Sequence, residues 1–190
     1  MRMIFSTCWV SCVILLASQL SDQDPAIPRL RLYQATVELS ARPPIEFSSC
    51  VVVAGNGVVY IEKRTHLILK PEADLKVYEG QLSTTQQDTL SDILESDGLK
   101  QLTAEDARRM PSTNSDFAWI TAKIKRGPSI QEADYRYWRD GPSEYEHVDQ
   151  SYVEAQKRAL QGLTPLLNWA NAIDQSKLRA VSFRQEMCSD

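Results

Sequence analysis

Phe117-Ala118-Trp119-Ile120-Thr121-Ala122-Lys123-Ile124-Lys125-Arg126, followed by Gly127-Pro128 and then by Ile130 to Trp138, decides the fold class. Two alternating runs on either side of a Gly-Pro pair describe an antiparallel hairpin. With a loop of two or of four residues, Ile120 meets Tyr135, Ala122 meets Ala133 and Ala118 meets Tyr137. That is one apolar face suited to a core. The opposite face sets Lys123 against Glu132, Trp119 against Arg136 and Phe117 against Trp138. A three-residue loop would break this agreement.

Working outward, Ile45 to Ala54 and Val58 to Arg64 flank Gly55-Asn56-Gly57. An Asn-Gly turn between β-branched runs is a strong hairpin signal, because both central residues of a type I′ turn need positive φ. With Asn56-Gly57 as the loop, Val53 faces Tyr60 and Val52 faces Ile61. A third strand is expected within Leu75–Leu82. Ser83-Thr84-Thr85-Gln86 is a capping box. The helix it opens carries Leu90, Ile93 and Leu94 on one face and is expected to stop at Gly98, a natural C′ residue. Thr103 to Asp116 reads as a loop. Ser151-Tyr152-Val153-Glu154 is a second capping box, ahead of Val153, Leu160, Leu163, Leu167, Ala170 and Ile173 at helical spacing. Pro165 either kinks that helix or sits at N1 of a second one capped by Thr164.

These elements predict an α+β domain, an antiparallel sheet of two hairpins with helices packed on one face, in the order β-β-β-α-β-β-α. The expected organisation is a leader at 1–21, a proline-containing linker at 22–44 whose alternating run Leu30–Leu39 is a candidate short strand, a single domain at 45–174 and a polar tail at 175–190. The 190 residues are 43% hydrophobic and 24% charged, with 7 Gly and 9 Pro, which excludes a collagen-like repeat and argues against wholesale disorder. A net charge of -4 argues against a nucleic-acid partner.

Arg2 is the only charge before Asp22, and an apolar run with small residues behind it lies between them. This describes a secretory signal peptide, and so an exported protein, secreted or periplasmic. The alternative is a retained N-terminal membrane anchor, the one circumstance in which a membrane partner is expected. Removal of the leader takes Cys8 and Cys12 with it. Cys50 and Cys188 then remain, either as one disulfide in an oxidising compartment or as two thiols.

The chain holds no Gly-x-Gly-x-x-Gly, P-loop, His-Glu-x-x-His, Gly-x-Ser-x-Gly or Cys-x-x-Cys motif, and only two histidines, His66 and His147. No catalytic residue, metal site or cofactor is assigned. Glu144, Glu146, His147 and Asp149 have ligand-like side chains without the spacing of a cage, and read as a solvated acidic loop. Glu132 and Asp134 are a carboxylate pair on one strand face, but Lys123 opposite Glu132 makes a surface charge ladder the simpler account.

The suggestive feature is aromatic. Phe117, Trp119, Arg136 and Trp138 share one sheet face and Tyr145 follows shortly; Trp, Tyr and Arg are the residues enriched in protein–protein hot spots. The alternative is that another segment covers this face as a second small core.

From Glu46 to Ile173 the chain resembles emfourin-like proteins, small inhibitors of protealysin and other thermolysin-type metalloproteases. The resemblance rests on the hairpin at Gly55-Asn56-Gly57, on Leu82-Ser83-Thr84-Thr85-Gln86 leading into the helix with Leu90 and Leu94, on the strand pair Ile120 to Tyr135, and on Leu163-Thr164-Pro165-Leu166-Leu167. It is a likeness of element order and hydrophobic pattern. This chain adds an export signal, a longer front segment and a C-terminal tail, and no functional residue is carried over. The expected function is an exported, non-catalytic protein-binding module, with protease inhibition its sharpest form. The alternatives are an exported hydrolase using dispersed carboxylates and a membrane-anchored envelope or scaffold component.

Overall fold

In the computed structural model, residues 28–103, 116–138 and 150–182 are described. Seven strands form one antiparallel sheet: β1 (Leu30–Glu38), β2 (Ile45–Val53), β3 (Val58–Leu67), β4 (Ala73–Gln81), β5 (Phe117–Arg126), β6 (Ser129–Trp138) and β7 (Arg179–Val181). Their spatial order is β6-β5-β1-β2-β3-β4-β7. Three helices, α1 (Thr84–Glu95), α2 (Asp97–Lys100) and α3 (Gln150–Asn171), pack on one face. The α+β class with helices on one face holds. The order and composition do not, since the sheet is a seven-stranded unit and not two hairpins.

The alternating run Leu30–Leu39 is a strand, β1, and it lies inside the sheet as a full nine-residue member, paired to β2 on one side and β5 on the other. Its apolar residues change face halfway. Leu30 and Leu32 point to the helices, whereas Ala35 and Val37 are buried on the opposite face. The sheet also gains an edge from the expected tail: after a 3₁₀ turn at Gln175–Lys177, β7 pairs Val181 with Val77.

Local chemistry explains the remaining differences. The β5–β6 register is the expected one, with Ile120 facing Tyr135 and Trp119 facing Arg136 around a two-residue Gly127-Pro128 turn. The β2–β3 register is one residue off the expectation, with Val52 facing Tyr60 and Val51 facing Ile61. Here Gly57 adopts φ +79° and donates its N–H to the Ala54 carbonyl at 3.0 Å, so the loop takes three residues instead of two. That single step decides that Ile61, and not Tyr60, enters the core.

Ser83 caps α1 as expected: its hydroxyl accepts from the Gln86 N–H at 3.3 Å, and the Ser83 N–H donates to Gln86 Oε1 at 2.9 Å. Gly98 does not end that helix. α1 stops at Glu95, where the Ser96 hydroxyl takes the Ile93 carbonyl, and Gly98 lies within α2. Its backbone abuts α3: a Cβ on Gly162 of α3 would come within 2.7 Å of the Gly98 carbonyl oxygen. Ser151 is already helical, inside the first turn of α3 and not before it. Pro165 sits within one continuous helix of 22 residues, where the Thr164 hydroxyl donates to the Leu160 carbonyl at 2.6 Å.

The core lies between the sheet and the helices, with Leu30, Val59, Leu90, Leu99, Ile124, Leu163 and Leu166 fully enclosed. Three long-range hydrogen bonds tie the elements together. The Trp169 indole donates to the Gln86 carbonyl at 3.1 Å, and the Gln131 amide donates to the Leu99 and Leu102 carbonyls, joining β6 to the α2 region. Among the described residues no helix is long and apolar enough to cross a membrane.

Candidate functional site

The sheet's other face, here the distal face, carries no described helix. Antiparallel neighbours directly across from one another share a face, so the registers give its layout in rows. One row runs Glu132, Lys123, Arg31. The next runs Asp134, Thr121, Tyr33, and the third Arg136, Trp119, Ala35. All of these side chains except Ala35 line a hollow of about 260 Å³ on the β6–β5–β1 part of the face.

Its aromatic wall is continuous. The Trp119 ring lies 5.8 Å from Tyr33 and 5.6 Å from Phe117, the second pair nearly parallel at 21°. Such offset pairs are favourable beyond the area they bury and hold the rings in place. All three rings are half-buried, and Arg136 beside them is exposed. The Tyr33 hydroxyl donates to Glu46 Oε1 at 3.3 Å. Burial, with the Glu46 carboxylate adding to it, pushes the Tyr33 phenol up to about 12, so it stays neutral and able to donate. Thr121 Oγ1 donates to Asp134 Oδ1 at 3.4 Å, which steadies one carboxylate of the rim. The Arg31 Nε is buried and has no hydrogen-bond partner among the described residues. The hollow therefore offers flat rings, guanidinium groups and two acidic side chains on rigid strands, a surface suited to a polypeptide with both apolar and charged groups.

Of the residues singled out in the sequence, Phe117, Trp119 and Arg136 come together here. Trp138 pairs with Phe117 in the register. Tyr145 lies outside the described residues, as do Cys188 and the Glu144, Glu146, His147, Asp149 cluster. Cys50 is buried on the distal face, between Tyr33 and Glu62. His66 donates from Nε2–H to the Lys70 carbonyl, 2.7 Å away, a strand-end contact. Among the described residues no three His, Cys, Asp or Glu side chains gather as a metal site would require. Sequence reasoning did not bring Arg31 and Tyr33 to the site: the alternation from Leu30 to Leu39 marks their strand, but nothing local shows that it pairs with β5.

A second hollow, about 410 Å³, opens at the far end of the helix-side face near Gln34, Phe47, Lys63, Tyr137 and Leu167. Phe47 is 44% exposed there. No family model matches the chain, and no curated protein matches it.

Proposed function

We propose that the protein is an exported, non-catalytic protein-binding module that engages its partner through the β6–β5–β1 part of the distal face, and that inhibition of a thermolysin-type protease is the sharpest form of that role. One observation carries the reading: Tyr33, Trp119 and Phe117 form an interlocked, half-buried aromatic wall beside the exposed Arg136. Rings already fixed in position lose little freedom on binding, and Arg beside Trp and Tyr is the composition of interface hot spots. The resemblance to emfourin-like inhibitors supports the protease version, and the signal-like N-terminus supports export.

The test compares the chain from Ser21 onward with an Arg136→Ala variant and a Trp119→Ala/Arg136→Ala variant, each checked for fold by circular dichroism. Immobilised chain captures a defined partner from the exported fraction, and a panel of thermolysin-type proteases is assayed for inhibition. Binding is expected to weaken about tenfold or more in the double variant, as loss of a hot spot predicts. Equal capture by all three proteins would remove the distal face from consideration.

A further inference from the structure

The larger hollow, about 410 Å³, lies on the helix-side face where the helix layer stops. α3 ends at Asn171, whose Oδ1 accepts from the Gln34 amide at 3.3 Å, so the last turn is tied to β1 at the hollow's margin. The registers set Tyr137, Ala118, Thr36 and Phe47 in one cross-strand row. Three strand spacings, about 14 Å, separate its two aromatic residues, and only the small Ala118 and Thr36 stand between them. The Tyr137 ring is steadied by Tyr135, stacked at 5.3 Å and 18°. Phe47 is 44% exposed, while Leu167 and Ile120 give the same hollow apolar walls. A recess of this size with fixed apolar walls and a few polar groups has the form of a small-ligand site.

Charge beside it is unbalanced. In the adjacent row Ser49, Lys63 and Lys76 stand side by side, so two ammonium groups face one another on the same surface. Like charges directly opposite across strands are destabilising. The Asp74 carboxylate lies 3.5 Å from Lys76 and neutralises that lysine. Lys63 lines the hollow and has no ion pair among the described residues. The Thr36 and Thr65 hydroxyls likewise have no hydrogen-bond partner among the described residues. The Ser49 hydroxyl accepts from Gln34 at 3.4 Å and keeps its own proton to donate. No carboxylate lines the hollow.

We propose that this hollow binds a small amphiphilic acid. Its anionic head group, a carboxylate or sulfonate, is held by Lys63 with the Ser49 and Thr65 hydroxyls, and its apolar body lies over Thr36 between Phe47 and Tyr137. The head group supplies the counter-charge that Lys63 lacks, and the body covers the exposed ring of Phe47. A neutral molecule of the same shape fills the walls but leaves the lysine unpaired. A bare anion pairs the lysine but leaves the ring in water. Tight binding therefore requires both halves. The site lies on the face opposite the proposed docking surface, so the two stand or fall separately.

Three probes separate head from body: naphthaleneacetate, the neutral naphthylethanol with the same ring system, and acetate. Each is titrated into isotope-labelled protein and followed in proton–nitrogen correlation spectra, which also report the fold of every variant. Naphthaleneacetate is expected to give saturable shifts centred on residues 34–36, 47–49, 63–65 and 167. It should bind about tenfold more tightly than the alcohol, the increment a charge-assisted hydrogen bond supplies, and acetate should not saturate. Lys63→Gln, at an exposed position, is expected to abolish the advantage of the acid and leave the alcohol's affinity unchanged. Phe47→Ala should weaken both naphthyl probes, and Arg136→Ala, on the distal face, should bind all three as the parent does. Equal affinity of the parent for acid and alcohol, shifts centred elsewhere, or failure of the acid to saturate would overturn the proposal. So would an advantage for the acid that survives in Lys63→Gln.

Discussion

Two glycines meet where α2 touches α3, and they are not equivalent. A Cβ on Gly162 would lie 2.7 Å from the Gly98 carbonyl oxygen, which is backbone and cannot swing aside, whereas a Cβ on Gly98 meets nothing closer than the Gly162 Cα at 3.8 Å. Gly162→Ala is therefore expected to cost about 1–3 kcal/mol as the helices separate. Gly98→Ala should be neutral or stabilising by up to ~1 kcal/mol, because alanine is the better helix former. Thermal melts of the two variants check the asymmetry.

Tyrosine ionisation gives a second prediction at the residue scale. Burial raises the Tyr33 phenol to about 12 and raises Tyr135 and Tyr152 as well. An unfolded chain ionises these phenols near their ordinary value of about 10. Their stabilising contribution is thus complete below that pH and is lost as pH climbs from there through 12. Urea midpoints should fall across that window, and less steeply in Tyr33→Phe.

At the scale of elements, the α1 capping box satisfies two backbone donors with one Ser–Gln pair. Ser83→Ala should cost about 1 kcal/mol, read as a shift in denaturant midpoint with unchanged slope. This box was legible in the sequence because every partner lies within three residues. The β5–β6 hairpin was legible for the same reason: a tight turn fixes the register, and both faces are consistent with it. Its readability delivered Phe117, Trp119 and Arg136 of the candidate site. β1 was legible as an alternating run but not as a central strand, since its apolar residues switch face between Leu32 and Ala35 and no local pattern names its neighbours. The switch reflects a helix layer that covers only part of the strand, which no local pattern announces. The place of Arg31 and Tyr33 beside β5 was hidden with it. Gly98 misled for a related reason: a glycine within a helix looks the same in sequence as one that ends a helix.

The whole molecule depends on that strand. β1 is hydrogen-bonded on both edges, and its removal would leave β2 and β5 with open edges and strip Leu30 and Leu32 from the core. A chain beginning at Ile45 is expected to fail to fold, and one beginning at Pro28 to give a cooperative melt. Circular dichroism and proton–nitrogen correlation spectra would distinguish them.

The position of β1 also sets a timetable. Val37 is made 80 residues before its β5 partner Phe117. At ribosomal speeds of about 5–20 residues per second, the newborn strand waits roughly 4–16 s for its second neighbour. Through that interval it can pair with β2 while its other edge, from Leu30 to Val37, stays available to any passing strand. The cell must guard this protein during synthesis or keep it unfolded until β5 has been made. Slowing translation between residues 38 and 117 should therefore raise aggregation more than slowing it after 126, a difference measurable in the insoluble fraction.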